Sequence, residues 1–215
     1  MRMAELSTTS GIPTATIKFY LREGLLPAGL RTGPTQAQYD ESHVQRLRLI
    51  RALLDVGQLS VTAARSVIAS IDSDDPLLHT FDLAQQSVSQ ALDPAEVGEA
   101  ALGQVDAVLD GWRVSPQNPG RIAAAQVLKV FGELGEPAMR GWYARYAEAA
   151  LIVAGADLDE IDARDDREAK AQMVVVGTVL GDALFSGLRR AAQEHISSER
   201  YPAPPYPTTP SHSKE

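Results

Sequence analysis

The stretch TIKFYLREGLLP at residues 16–27 decides the fold of the N-terminal part of the chain. It predicts a short helix from about Thr14 to Glu23, whose inward face carries Ile17, Tyr20 and Leu21. Gly24 and the apolar strip that follows it end this helix. A short helix closed by a glycine and an apolar strip is typical of the second half of a helix-turn-helix.

The segments on either side complete a winged form of this motif. MAELSTTSGI at residues 3–12 predicts the first helix, with Gly11 able to end it in a left-handed conformation. Residues 28–40 combine glycine and proline with polar residues and predict a loop or hairpin wing. Periodic apolar residues predict a helix over Glu41–Val56 and a fourth helix from an N-cap at Ser60 to about Ile71. We therefore expect residues 1–71 to form a winged helix-turn-helix domain.

Residues 72–114 carry two apolar seams with the spacing of a coiled coil, interrupted at Asp93-Pro94. The seams consist of Leu77, Phe81, Ala84, Val88 and Ala91, and then of Ala101, Val105, Val108 and Trp112. We interpret this segment as a helical linker that mediates dimerisation. Packing of both seams within the chain is the alternative.

Residues 115–200 predict a helical C-terminal domain. Its helices are expected at about Arg121–Leu134, Pro137–Gly155 and Asp165–Ser197, the last of them buried nearly all round. The acidic run DLDEIDARDD at residues 157–166 predicts a solvated loop, and the proline-rich residues 201–215 predict a disordered tail. The expected fold class is mainly all-α, with a small wing as its β-structure.

Charge is distributed unevenly along the chain. The 215 residues carry a net charge of −8. Residues 1–71 hold eight Lys and Arg against five Asp and Glu, a net charge of +3, whereas residues 72–215 hold twelve against twenty-three, a net charge of −11. A basic N-terminal domain on an acidic body indicates that a polyanion binds to the N-terminal domain alone.

Composition also excludes several classes of site. The chain has no cysteine, which excludes disulfides, thiolate metal sites and thiol redox sensing. The N-terminus lacks the pattern of a secretory signal. The apolar stretch Met173–Leu188 is short for a membrane span and contains Asp182, so we expect a buried helix, no membrane partner and a cytoplasmic protein.

The first seventy residues resemble the DNA-binding domain of MerR-family transcription regulators. That family's run Thr-Ile-Arg-Tyr-Tyr-Glu, followed two residues later by Gly-Leu-Leu, is matched here by Thr16-Ile17-Lys18-Phe19-Tyr20-Leu21, then Arg22-Glu23 and Gly24-Leu25-Leu26. The arginine-rich YDESHVQRLRLIRALLDVG at residues 39–57 follows at the matching distance. The wing departs from the family, because Thr35-Gln36-Ala37-Gln38-Tyr39 stands where relatives carry Gly-Tyr-Arg-x-Tyr.

Several residues of this domain have donors suited to duplex DNA. The polar side of the second helix is expected to reach phosphates and base edges in a major groove, and Arg31 of the wing to follow the adjacent backbone or minor groove. His43 and Arg46 lie near the start of the third helix, where backbone amides also favour a phosphate. The candidate DNA-binding residues are Thr14, Thr16, Lys18, Tyr20, Arg22, Arg31, Gln36, Tyr39, His43 and Arg46.

The resemblance implies a mechanism. MerR-type regulators are homodimers that bind double-stranded DNA at a palindromic promoter operator and distort it, so that RNA polymerase engages both promoter elements. An effector bound by the C-terminal part switches this distortion. Metal- and redox-sensing relatives use cysteines for that purpose, so neither a metal nor a cofactor is expected here.

A small organic effector is the remaining class. Aromatic residues that could line an apolar pocket, with Arg140, Arg145 and Glu148 nearby, are Phe131, Trp142, Tyr143 and Tyr146. Asp182 lies among apolar residues, and a buried carboxylate needs a partner, either structural or in a ligand. Core packing is the alternative for the aromatic cluster.

Two other classes of function compete with this interpretation. A protein that sequesters a small molecule, with a vestigial DNA-binding domain, is the alternative suggested by the altered wing and the acidic body. An enzyme has no support, because the chain shows no nucleophile elbow, P-loop, metal motif or paired catalytic carboxylates, and no catalytic residue is assigned.

Overall fold

A computed structural model describes residues 1–33, 36–89, 92–135 and 141–201. Several predicted features therefore lie outside the described residues. They are the wing residue Thr35, the seam residue Ala91, Arg140, the start of the predicted helix at Pro137 and the predicted tail beyond Tyr201. The fold is all-α apart from one two-stranded sheet, which confirms the predicted fold class.

The N-terminal domain is the predicted winged helix-turn-helix. It consists of α1 (Met3–Ser10), α2 (Thr14–Arg22), β1 (Leu30–Gly33), β2 (Gln36–Gln38), α3 (Glu41–Arg51) and α4 (Val61–Asp72). β1 and β2 pair antiparallel, with Leu30 opposite Gln38 and Arg31 opposite Ala37. The third helix was predicted to run to Val56 as one α-helix, but its last five residues, Ala52–Val56, form a π-helical turn.

Six further helices follow within the described residues. They are α5 (Leu77–Val88), α6 (Pro94–Val97), α7 (Glu99–Val108), α8 (Pro119–Glu133), α9 (Trp142–Asp162) and α10 (Arg167–Arg200). The acidic run at residues 157–166 is not a loop throughout, because its first six residues are the end of α9. Ile161 explains the difference, since it is buried in the core and keeps the helix packed to its last turn.

Two hydrophobic clusters divide the chain differently from the predicted domain boundaries. The larger cluster joins the winged helix-turn-helix residues to α5, to Ile161 and to the first half of α10. The smaller cluster lies among α6, α7 and α8. The described residues of the first seam, Leu77, Phe81, Ala84 and Val88, pack in the larger cluster. Of the second seam, Ala101 and Val105 belong to the smaller cluster, whereas Val108 and Trp112 are half-buried and belong to neither.

Helix α10 lies in two environments. Ala171, Val174, Val175 and Val179 in its first half are at most 2% exposed, whereas Leu184 and Leu188 in its second half are 64% and 60% exposed. The expectation of a helix buried nearly all round is therefore wrong for the second half. By length and composition alone α10 is also sufficient to cross a membrane, but its first half packs against α4 and α5.

Candidate nucleic-acid interface and effector pocket

The second helix presents a basic face to solvent. Ile17 and Tyr20 are buried and fix the opposite face of α2 in the core. Lys18 and Arg22 are exposed and one turn apart, with Thr14 one turn before Lys18. The Arg22 guanidinium lies 5.8 Å from the centre of the Phe19 ring, a cation–π contact that holds it over this face.

Thr16 lies on another side of the helix. Residues two apart are separated by about 200° around an α-helix, so Thr16 does not share the face of Thr14 and Lys18. It is half-buried, whereas Lys18 is exposed. Thr16, a candidate DNA-binding residue, therefore lies off the face that Thr14, Lys18 and Arg22 share.

The wing is held against the domain by backbone contacts. The Met1 ammonium donates to the Tyr39 carbonyl at 2.6 Å, and the Tyr39 N–H donates to the Met1 carbonyl at 2.8 Å. Gly29 permits the close approach, because a Cβ there would lie 2.8 Å from the Tyr39 ring. Arg31 and Gln36, one on each strand, remain exposed. Sequence reasoning missed this role of Gly29, although a glycine next to a strand is its usual sign.

Two predicted DNA contacts, Tyr39 and His43, have structural partners instead. Tyr39 is buried and packs edge-on against His43, with 5.1 Å between ring centres. The His43 Nδ1 lies 2.7 Å from Oδ1 of Asp40, the N-cap residue of α3. Hydrogen bonds from Ser42 and then His43 hold the pKa of the Asp40 carboxyl well below its usual range. His43 is thus placed as part of the helix cap.

Tyr20 is placed in the core as its ring was predicted to be. Burial raises the pKa of its hydroxyl, the nearby Asp55 carboxylate raises that pKa further, and Arg51 lowers it. The charges that act on the Tyr20 hydroxyl therefore belong to α3 and to the π-helical turn. The structure does not place the Tyr20 hydroxyl on the basic face of α2, where it would reach a phosphate.

The cations of the N-terminal domain fall into two groups. Four pair with carboxylates: Arg46 with Asp72, Arg48 with Glu41 at 3.8 Å, Arg51 with Asp55 at 3.1 Å, and Arg65 with Glu23 at 2.6 Å. Within residues 1–33 and 36–71, the other four make no ion pair, and all of them precede Thr32: Arg2, Lys18, Arg22 and Arg31. The uncompensated charge is concentrated on α2, the wing and the N-terminus.

A cavity of about 610 Å³ lies between the α7–α8 pair and the α9–α10 hairpin. All four residues of the predicted aromatic cluster line it, namely Phe131, Trp142, Tyr143 and Tyr146. The other lining residues are mostly aliphatic and come from α7, α8 and α9, together with Trp112, Phe185 and Arg189. The four predicted aromatic residues therefore come together, and Arg189, which the sequence did not single out, joins them.

Asp182 is not a buried carboxylate inside this cavity. Its side chain is exposed, and it is absent from the described residues that line the pocket. Partial desolvation among the surrounding helix atoms raises the pKa of its carboxyl, and the Asp157 carboxylate on α9 adds to the effect. Asp182 thus lies near another carboxyl group of the α9–α10 hairpin. It forms no ion pair with any cation among the described residues.

Two contacts join α10 to the DNA-binding domain. The Arg167 guanidinium donates to the carbonyls of Ser70, Ile71 and Asp75 at 2.6–3.2 Å, and so satisfies the C-terminal end of α4. Gly57 lies against α10 so closely that a Cβ there would come within 2.2 Å of Val179 Cγ1. Neither contact was predicted, because each joins positions about a hundred residues apart.

These features define a class of protein: a winged helix-turn-helix with an uncompensated basic face, joined to a helical body that holds an apolar cavity. Comparison with known proteins narrows the class. Residues 1–71 match the family model described as MerR HTH family regulatory protein.

Two curated proteins are similar over the same region. The chain is 33% identical over 69 residues to heavy metal-dependent transcription regulator 2 of Rhizobium meliloti (strain 1021). The matched region is 32% of this chain and 46% of that protein. The chain is 39% identical over 56 residues to nodulation protein NolA of Bradyrhizobium elkanii, covering 26% of each chain. The matched part thus spans less than half the length of these relatives.

A solved structure is similar over nearly the whole chain. The crystal structure of the putative transcriptional regulator SCO5550 from Streptomyces coelicolor A3(2) superimposes with a TM-score of 0.72 at 35% identity, covering 95% of this chain and 99% of that one. The chain belongs to the MerR family of transcription regulators, and residues 1–71 are its helix-turn-helix domain.

Proposed function

We propose that this protein is a cytoplasmic, sequence-specific DNA-binding regulator that acts as a homodimer on a palindromic promoter operator. One observation carries the proposal: the cations of α3 and α4 are paired within the fold, whereas those of α2 and the wing are not. Unpaired cations on a recognition helix and an adjacent wing are suited to the phosphates that flank a major groove.

Each residue on the basic face has a distinct role in this proposal. Lys18 and Arg22 contact phosphates or guanine edges from α2, and Thr14 adds a neutral donor near the start of the helix. Arg31 and Gln36 contact the backbone from the wing. Tyr39 holds the wing in place, His43 the cap of α3, and Tyr20 the inner face of α2. These three residues position the side chains that contact DNA.

The second half of α10 is the proposed site of dimerisation. Leu184 and Leu188 are one turn apart on this helix and both are largely exposed, and Leu151 and Ile152 of the neighbouring α9 are 52% and 74% exposed. Exposed large apolar side chains on two neighbouring helices are typical of an interface between subunits. The segment at residues 72–114 offers less, because most of its described seam residues already pack inside the chain.

A dimer places two α2 helices on the two halves of a palindrome, about 34 Å apart for half-sites one turn apart. We propose that the DNA between the two helices is bent or untwisted. This deformation costs roughly several kcal/mol of free energy, which the protein–DNA contacts offset. RNA polymerase then responds to the shape of the promoter, and direct contact with the regulator is unnecessary.

The cavity between the two helical pairs is the proposed effector site. Its volume, about 610 Å³, lies within the roughly 300–1,000 Å³ of ligand pockets. α10 lines the cavity with Phe185 and Arg189 and contacts the DNA-binding domain with Arg167 and Val179. A ligand that shifts this helix changes the position of the DNA-binding domain, with a coupling free energy of about 1–3 kcal/mol.

Binding of the purified chain to a fluorescent duplex from its own promoter region tests the proposal. We expect saturation at two chains per duplex, with a preference over a scrambled duplex of the same composition at moderate salt. Equal affinity for the two duplexes, or one chain per duplex, would contradict it.

A second candidate function is sequestration of a small molecule, with a DNA-binding domain that no longer reads sequence. The net charge of −11 over residues 72–215, together with the apolar cavity, supports this alternative. The same titration separates the two functions, because a sequestering protein shows no preference between the duplexes even when it binds its ligand.

A further inference from the structure

The walls of the effector cavity are aromatic and almost free of charge. Phe131 stacks on Tyr143 with an angle of 17° between the rings, and Trp142 meets Tyr146 edge-on at 5.1 Å. Flat rings of this kind gain dispersion and quadrupole contacts when another flat apolar group lies against them. The cavity is therefore suited to a ligand with a planar hydrophobic body.

Arg189 supplies the charge of the cavity. Among the described residues that line the cavity, Arg189 is the one whose side chain is charged at neutral pH. Its Nη1 donates to the Tyr146 hydroxyl at 3.0 Å, and it makes no ion pair with any described carboxylate. The guanidinium keeps further donors in a fork that matches a carboxylate or sulfonate.

The position of Arg189 excludes one ligand class and favours another. An organic cation would meet a permanent positive charge with no carboxylate on the described lining. An anion gains a charge-assisted hydrogen bond from the exposed Arg189 guanidinium beside an otherwise apolar cavity. The same Arg189 also fixes the orientation of the ligand, because it lies on α10 while the stacked rings lie on α8 and α9.

We propose that this cavity binds a planar hydrophobic organic anion, an aromatic ring system with one carboxylate or sulfonate, whose acid group pairs with Arg189. This inference rests on the effector-binding part of the proposed function and names its ligand class. It is independent of whether the N-terminal domain reads a DNA sequence.

The tryptophans provide a direct readout. The chain has two tryptophans, Trp112 and Trp142, and both line the cavity. We suggest titrating the full chain with three probes that share one ring system, biphenyl-4-carboxylate, biphenyl-4-methanol and 4-phenylbenzylammonium. Tryptophan emission is excited at the red edge of the band, where biphenyl does not absorb, and calorimetry repeats the measurement.

The carboxylate probe is expected to bind about tenfold more tightly than the alcohol, and the ammonium probe more weakly than either. Arg189→Ala should lower the affinity for the carboxylate to that for the alcohol. Arg190→Ala is the matched control, because this neighbour bonds to Ser186 on its own helix and does not line the cavity. Ala150→Leu, which fills the cavity, should weaken all three probes.

Three results would overturn the inference: no probe changes the tryptophan emission or the heat, the three probes bind equally, or Arg190→Ala acts as strongly as Arg189→Ala. Each of these is measured without DNA. A failure of the ligand class is thereby distinguished from a failure of the regulator function, which the duplex titration tests without any ligand.

Discussion

The two halves of α10 have similar apolar sequences and different neighbours. Val174, Val175 and Val179 pack against the DNA-binding domain and α5, whereas Leu184 and Leu188 are exposed to solvent. An apolar pattern therefore identifies the side chains that favour burial without identifying what buries them. In the first half that neighbour is the same chain, and in the second half we propose a ligand and a second copy.

The largest expected difference between the two halves comes from a buried charge. Val175→Asp places an unpaired carboxylate in the core, and the expected loss is about 5 kcal/mol or more of unfolding free energy, enough to unfold the chain. Leu188→Asp should leave the helical circular dichroism unchanged and convert the dimer to a monomer in sedimentation velocity. An unfolded Leu188→Asp variant, or a dimeric one, would contradict the assignment of the second half to the interface.

A second prediction concerns the closest contact of the first half. Gly57→Ala introduces a Cβ that clashes with two atoms: Val179 Cγ1 at 2.2 Å and the Leu53 carbonyl oxygen at 2.8 Å. The expected cost is about 2 kcal/mol in urea denaturation, part of which Val179→Ala should restore. Gly187→Ala in the second half meets nothing within 4 Å and should stabilise the chain by roughly 0.5–1 kcal/mol. Equal effects at the two glycines would mean that α10 does not pack on the DNA-binding domain.

The third comparison uses two arginines of the same helix. Arg167→Ala removes the donors that satisfy the end of α4, with an expected loss of about 1.5–3 kcal/mol of unfolding free energy. Arg190→Ala removes a single exposed bond to Ser186 and should change stability by less than about 0.5 kcal/mol. Thermal and urea denaturation of both variants decide this, and a larger loss for Arg190→Ala would be the contrary result.

The smallest effect is a pH dependence in the second half. Desolvation and the Asp157 carboxylate raise the pKa of Asp182 in the folded chain. The folded state therefore holds this proton more tightly, and stability falls as pH rises from the unfolded pKa through the raised folded one. Asp182→Asn should remove that fall, so the variant gains stability relative to the parent above the folded pKa. Parallel stability–pH curves for parent and variant would show that the carboxyl is not perturbed.

Much of the fold follows from local sequence signals. The glycine after α2, the polar wing segment and the periodic third and fourth helices lie within about seventy residues, and the structure has each of them. The aromatic cluster was also predictable, because Trp142, Tyr143 and Tyr146 share one turn or the next on a single helix.

The remaining features depend on contacts between distant parts of the chain. Arg46 was predicted to reach DNA, but it pairs with Asp72 at the end of another helix, a partner twenty-six residues away that no pattern around Arg46 indicates. The placement of His43 is a local exception, because it lies three residues after Asp40 and joins the N-cap of α3. The extent to which α10 is buried depends on how much surface the small N-terminal domain and α5 offer, which the sequence of α10 does not contain.

The central claim is that unpaired cations on α2 hold DNA while paired cations on α3 do not. Two double variants that remove the same charge test it most directly: Lys18→Ala with Arg22→Ala, and Arg48→Ala with Arg51→Ala. The affinity for the fluorescent promoter duplex is measured for both across a salt series. The α2 variant is expected to lose about 100-fold in affinity and about two units of the salt slope. The α3 variant should stay within about threefold of the parent, because its exposed ion pairs contribute little to the fold. Equal losses for the two variants, or a larger loss for α3, would contradict the account.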